Sequence, residues 1–146
     1  LKCGTYPNEE ADQGLHQFTY SIYPHIGDFR DGETVRAAYS LNQPLEAAEI
    51  KNNCGGTIPA EYSLIRCDSK NIVIDTLKQS EDYIIRLYDS FNCRSEAEIN
   101  FGLPVQRVEL CDLMENPIDT VEIFNNSIKL SVSNFEIITL KVSFKN

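Results

Sequence analysis

From residue 60 onward, apolar and polar positions alternate with period two in one segment after another. Ala97, Ile99 and Phe101 fall on one side, Glu98 and Asn100 on the other. Ile128, Leu130 and Val132 oppose Lys129 and Ser131 in the same way. This alternation marks half-buried strands, because successive side chains of an extended backbone point to opposite faces. The runs that read as strands are 61–67, 71–78, 83–89, 96–101, 105–113, 120–124, 127–133 and 135–144. The last run changes phase at Ile137 and Ile138, which predicts a β-bulge there. Turn-forming residues separate the runs, among them Asp68 to Asn71, Gly102 to Pro104, Asn116-Pro117 and Asn125-Asn126.

The first part of the chain is patterned differently. Residues 1 to 14 are polar and turn-rich. Phe18, Tyr20 and Ile22 then alternate with Gln17, Thr19 and Ser21, a strand signal that Pro24 ends. Gly27 to Gly32 reads as a loop. Val35, Ala38 and Tyr39 fall at helical spacing, so Glu33 to Leu41 is expected to be a helix with Asp31 as N-cap. Glu33 suits its positive start, and Asn42 and Pro44 stop it. A helix this short needs something to pack on. Residues 42–59, with Asn52, Asn53, Gly55, Gly56 and Pro59, read as a linker.

The expected fold class is therefore all-β: an antiparallel β-sandwich with one short helix near the N-terminal third. Residues 1–58 would supply a strand, a loop and the short helix from a preceding β region, plus the linker. Residues 59–146 would form a terminal β-sandwich. The 146 residues suffice for a core without staples. Leu1, in place of an initiator Met, suggests a piece of a longer polypeptide.

The formal net charge of −9 weighs against nucleic acid and against anionic membrane surfaces as partners. No apolar run reaches the ~20 residues of a membrane helix, and no secretory signal pattern opens the chain. The cysteines Cys3, Cys54, Cys67, Cys93 and Cys111 are odd in number and widely spaced, without a Cys-x-x-Cys pair. That pattern fits a reducing, cytoplasmic location with no intrachain disulfide, Cys67 and Cys111 acting as small core hydrophobes. The sequon Asn125-Asn126-Ser127 is a weak signal on its own.

No catalytic constellation is visible. The chain has no Gly-x-Ser-x-Gly, no phosphate-binding loop and no His-Glu-x-x-His. His16 and His25 are the only histidines, and their spacing fits no metal motif, so structural roles are expected for both. Asp28, Asp31 and Glu33 read as loop and cap residues. The aromatics Tyr20, Tyr23, Phe29 and Tyr39 suit either a sugar-stacking platform or anchors at a core or domain interface.

Asp12, Gly14, His16, Phe18, Tyr20, Ile22, Pro24 and His25, with Gly27 two residues later, resemble a signature of glycoside hydrolase family 38. That signature runs Asp-x-Gly-x-His-x-Phe-x-Tyr-x-Leu-x-Pro-His. Residues 35–45, 75–81, 87–89, 103–106, 110–115 and 135–140 are similar, in order, to later blocks of the family's cytosolic and bacterial branch. The resemblance covers nearly the whole chain and identifies it as the C-terminal β region of an α-mannosidase. It implies a parent enzyme that removes terminal α-linked mannose with retention. Zinc and a carboxylate nucleophile would sit in an N-terminal catalytic domain absent from this chain, with no cofactor bound here. None of the family's zinc ligands, nor its nucleophile, maps onto a residue of this sequence.

On this reading the chain scaffolds the catalytic domain of the same polypeptide, and mannosides are its substrates only through the parent enzyme. The chain alone would be inactive. His16, Tyr20, Tyr23, His25, Asp28 and Arg30 are the candidate domain-interface residues, since the most specific block carries no catalytic pattern. Orphaned, that interface is expected to permit homo-oligomers. The alternative class is a carbohydrate-binding β-sandwich module, which the absence of Trp weakens. A plain adhesion sandwich is a third class, disfavoured by the unpaired cysteines.

Overall fold

The computed structural model describes Tyr6 and residues 14–49, 55–57 and 59–145. The turn-rich start up to residue 13, Asn52 and Asn53 of the expected linker, and Cys3 and Cys54 lie outside the described residues. Among the described residues one helix, α1 (Thr34–Asn42), precedes eight strands. These are β1 (Ile65–Cys67), β2 (Ile72–Gln79), β3 (Tyr83–Asp89), β4 (Ser95–Phe101), β5 (Val105–Cys111), β6 (Pro117–Thr120), β7 (Ser127–Val132) and β8 (Ile137–Phe144).

The strands form two antiparallel sheets, ordered β1-β4-β7 and β2-β3-β8-β5-β6. The alternation that predicted the strands also builds the core between the sheets. Ala97, Ile99, Phe101, Ile128, Leu130 and Val132 bury their side chains from the smaller sheet. Ile85, Leu87, Val108, Leu140 and Val142 meet them from the larger. Burying a side chain of this size favours folding by roughly 1.5–3 kcal/mol each. The expected all-β sandwich with a single short helix is thus the observed architecture.

Four local expectations are corrected. The run from Gln17 to Ile22 is not a strand, and no residue from 15 to 25 is paired in a sheet. Alternation makes a strand only where a neighbouring strand supplies a ladder, and neither sheet includes this run. Asp31 does not cap α1. The N-cap is Glu33, in a left-handed conformation at φ 48° without a side-chain bond to the helix backbone, while Asp31 Oδ2 accepts the Asp28 N–H at 3.0 Å.

The strand expected at 120–124 lies earlier, as β6, an exposed edge strand that Pro117 opens without loss of a ladder donor. Val121 and Ile123 instead pack loosely against the core. The bulge expected at Ile137-Ile138 is absent, because β8 pairs with β3 without interruption from Val142 to Ile137. The registers shift instead between Ile74 and Thr76 in β2, and twice in β5. The phase change has another cause: Ile138, Leu140 and Val142 face the core, while Phe135 and Ile137, on the other phase, are exposed apolar residues.

Candidate functional site

Two regions outside the core carry chemistry, and the first is the segment from His16 to Arg30. All six sequence-predicted residues in it are exposed. The structure brings four of them together around one loop. Tyr23 Oη donates to the Gly32 carbonyl at 3.1 Å, and the Tyr23 and His25 rings lie 5.8 Å apart. The His25 ring sits so close over Gly32 that a Cβ there would come within 2.5 Å of it, so only glycine permits this contact. Asp28 Oδ1 accepts the Arg30 N–H at 2.8 Å and the Asp31 N–H at 3.2 Å. Those backbone N–H groups, Arg30 first, hold the Asp28 carboxyl below its usual range. The Arg30 guanidinium lies 5.4 Å from the Phe29 ring centroid. Phe29 in turn meets Phe91 edge-on at 6.2 Å, fastening the loop to the turn after β3.

His16 and Tyr20 stand apart from that cluster, on the extended run before it. Phe18, Tyr20 and Ile22 are 68%, 80% and 89% exposed. The run passes along α1, and a shallow cleft between them is lined by Ser21, Tyr23, Ala37 and Leu41.

The second region is a groove on the outer face of the larger sheet. It arises because α1 docks across β2. The Arg36 guanidinium donates to the carbonyls of Ser69, Lys70 and Ile72 at 3.3, 3.4 and 3.3 Å. Glu33 pairs with Lys70 at 2.8 Å. Asp75 is the extra residue at the β2 register shift, and the Tyr39 hydroxyl donates to its carboxylate. The bond to Asp75, with burial, pushes the Tyr39 hydroxyl well above the ordinary tyrosine range. The same bond, with one from Thr76, holds Asp75 below the usual carboxylate range. On the far side, Glu115 bridges Lys78 and Arg86 at 2.7 and 2.8 Å, pinning the 112–116 loop over the sheet. Between helix and loop lies a cavity of about 710 Å³, with Tyr39, Asp75, Arg86, Tyr88, Leu113 and Phe135 in its lining.

At the end of that groove Asp89 is fully buried. Burial alone would raise its pKa. Bonds from Asn71 Nδ2 (2.8 Å) and from the N–H groups of Phe135 (3.0 Å), Cys93 (3.1 Å) and Phe91 (3.2 Å) outweigh it and hold the carboxyl low. The Cys93 thiol beside it is pushed up by burial and by the Asp89 charge. Asp89 thereby staples the turn after β3 to the turn before β8.

Sequence reasoning reached the first region and missed the second. Tyr88 and Arg86 stood on the outer phase of β3, and that was the only available signal. Asp75 is re-aimed by a bulge and Phe135 by a left-handed φ of 52°, which no periodicity shows.

The described residues contain no group of three or more His, Cys, Asp or Glu able to hold a metal ion. The described residues therefore do not supply a donor set that fits a zinc centre. No described helix is long and apolar enough to cross a membrane. Residues 71–140 match the family described as glycosyl hydrolases family 38 C-terminal beta sandwich domain.

The chain belongs to glycosyl hydrolase family 38.

Its match to that family lies in the sandwich, from Asn71 at the start of β2 to Leu140 in β8. Curated relatives extend the likeness over the segment before it. Alpha-mannosidase 2C1 of Homo sapiens is 34% identical over 148 residues, covering 96% of this chain. Alpha-mannosidase G of Dictyostelium discoideum is 30% identical over 151 residues, covering 97%. Alpha-mannosidase of Saccharomyces cerevisiae is 24% identical over 169 residues, covering 99%. The chain spans only 14% of the human and Dictyostelium relatives and 15% of the yeast one.

Proposed function

We propose that the chain is the C-terminal, non-catalytic β region of an α-mannosidase and that it braces the catalytic domain of the same polypeptide. The observation that carries this reading is the asymmetry of the likeness: nearly all of this chain aligns with α-mannosidases of which it makes up about one seventh. In such an enzyme two carboxylates of the catalytic domain would cleave terminal α-mannosyl residues through a covalent intermediate. Zinc held there would orient the sugar and polarise its hydroxyls. Mannosides would thus reach this chain only through its parent enzyme, in mannose metabolism.

The residues of this chain contribute position, not chemistry. His16, Tyr20, Tyr23, His25, Asp28 and Arg30 would face the catalytic part, with the Tyr23–His25–Gly32 contact and the Asp28 turn fixing the loop that the last four share. Aromatic side chains and arginine are the types enriched at such contacts. A cytoplasmic setting is supported by the free thiols of Cys67, Cys93 and Cys111. Without its partner the exposed segment would favour self-association.

The test has two parts. The coding sequence upstream of Leu1 should continue in frame into a catalytic domain. The longer polypeptide should hydrolyse an aryl α-mannoside, while the 146-residue chain should neither hydrolyse it nor bind stoichiometric zinc. Turnover by the pure 146-residue chain, abolished by a chelator, would refute the reading.

A second reading, a carbohydrate-binding module, draws on the groove. Tyr39, Tyr88 and Phe135 offer ring surface beside the hydrogen-bonding groups of Asp75 and Arg86. Calorimetric titration with mannose oligosaccharides decides it: saturable binding by the chain, lost in Tyr88→Ala, would establish the module.

A further inference from the structure

We infer that residues 15–23 are a donor strand, built to complete the edge of a β-sheet supplied by the polypeptide outside this chain. The inference rests on the reading above that this chain works within a longer α-mannosidase polypeptide. It goes further in naming how the two parts join.

Three observations carry it. The run alternates with period two, placing Phe18, Tyr20 and Ile22 on one side and Gln17, Thr19 and Ser21 on the other. An extended segment patterned in this way is half-buried in a sheet wherever it has a neighbour. Here it belongs to neither sheet and is exposed on both sides, the apolar one included. A strand face of two aromatics and an isoleucine left in water is a docking surface without its partner.

The rest of the segment holds the run out rather than folding it back. The turn from Gly27 to Gly32, fastened by Phe29 to Phe91, sets the point from which the run departs. The two sheets of this chain do not take the run up; it passes beside α1, and the strands β1 and β6 at the sheet edges pair with other segments only.

The occupant is set by where the unaccounted chain lies. Relatives that align with 96–97% of this chain carry six sevenths of their length outside it. Backbone N–H and C=O groups of residues 15–23 would then ladder with a free sheet edge in that portion, the mode of peptide recognition by strand addition. Phe18, Tyr20 and Ile22 would enter the core of that sheet, and Gln17, Thr19 and Ser21 would stay in solvent.

Hydrogen exchange read by mass spectrometry tests this, on the longer polypeptide and on the 146-residue chain side by side. The amides of residues 15–23 should exchange about 100-fold more slowly in the longer polypeptide, because laddered amides open only with their sheet. Tyr20→Asp in the longer polypeptide should abolish that protection, and Thr19→Asp on the other face should leave it intact. Thr19→Pro, which removes a ladder donor without changing the apolar face, should also weaken it. Equal exchange in the two forms would overturn the inference. So would equal effects of Tyr20→Asp and Thr19→Asp. Protection confined to a dimer of the 146-residue chain and absent from the longer polypeptide would overturn it in favour of a second copy as the occupant. Mannoside hydrolysis by the longer polypeptide is read separately. Its absence alongside intact protection would count against the enzyme reading and leave the strand in place.

Discussion

The Phe135 backbone N–H donates to the buried Asp89 carboxylate at 3.0 Å, across 46 residues of chain. The bond holds the turn before β8 against the end of β3, and it keeps Phe135 in a left-handed conformation that costs a side-chain-bearing residue roughly 1–2 kcal/mol. Stability and strain meet at this one contact, and they can be separated by substitution.

Asp89→Asn should destabilise the chain by about 3 kcal/mol, because an amide nitrogen then faces N–H groups that need an acceptor. Urea unfolding measures this as a lower midpoint at unchanged slope. A loss under about 0.5 kcal/mol would show that the four bonds to the carboxylate do not hold the loops together.

Phe135→Gly should act in the opposite direction. The ring is 60% exposed, so little burial is lost, while the left-handed backbone becomes free of strain. A gain of about 1 kcal/mol is expected in the same unfolding assay. A comparable loss would mean that the ring packs more tightly in solution than its exposure implies.

The depressed pKa of Asp89 has a signed consequence. In the acidic range the unfolded chain binds the proton more readily than the folded one, so stability rises with pH there. The contribution is complete above the ordinary carboxylate range and disappears as pH falls through the folded-state pKa below it. Unfolding midpoints measured from neutral pH downward should fall more steeply for the natural chain than for Asp89→Asn. Asp75, Asp112 and Glu115, also held low by hydrogen bonds, supply part of the slope that the variant keeps.

Arg36→Met should release α1 without unfolding the sandwich. One guanidinium serves three carbonyls of the β1–β2 connection and β2, and no residue of the helix is fully buried. Exchange of the helix amides should quicken about 10-fold or more while those of β3 and β8 stay unchanged. Arg36→Lys should restore part of the protection, since all three bonds leave from one nitrogen and an ammonium also carries three N–H donors. Loss of protection in β3 would contradict this independence.

Thiol titration of the denatured chain, without reductant, should count five free thiols. In the native chain Cys111 should react slowest, being buried and with its thiol pushed up first by burial and then by Glu109. A stable count of one or three in the denatured chain would reveal a bridge that involves Cys3 or Cys54.

What was legible in the sequence is what periodicity encodes. β3 runs from Tyr83 to Asp89, as its apolar pattern implied, and the buried faces of β4 and β7 are those the alternation picked. Period two fails where partners are not in the chain, as at Phe18 to Ile22, and at edges, where β6 holds its pairing through exposed residues with no pattern at all. Four of the six candidate interface residues lie in the family signature, Asp28 and Arg30 in the segment that follows it, and the structure gives Tyr23, His25, Asp28 and Arg30 a common loop. The groove was illegible for a different reason. It needs a bulge at Asp75, left-handed residues at Glu115 and Phe135, and a helix cap that no side chain supplies. Each of these depends on tertiary neighbours far apart in sequence.

The position of β8 sets the timing of assembly. It lies between β3 and β5, and both lack their common neighbour until residues 137–144 have been made. A nascent chain that has reached only Asn134 holds two facing strand edges with nothing between them, the kind of surface that other chains can capture. Synthesis therefore passes through a window in which the larger sheet cannot close. Any truncation or stalled translation before Ile137 would prolong it, making this domain a late-folding step guarded by whatever shields open sheet edges in the cell.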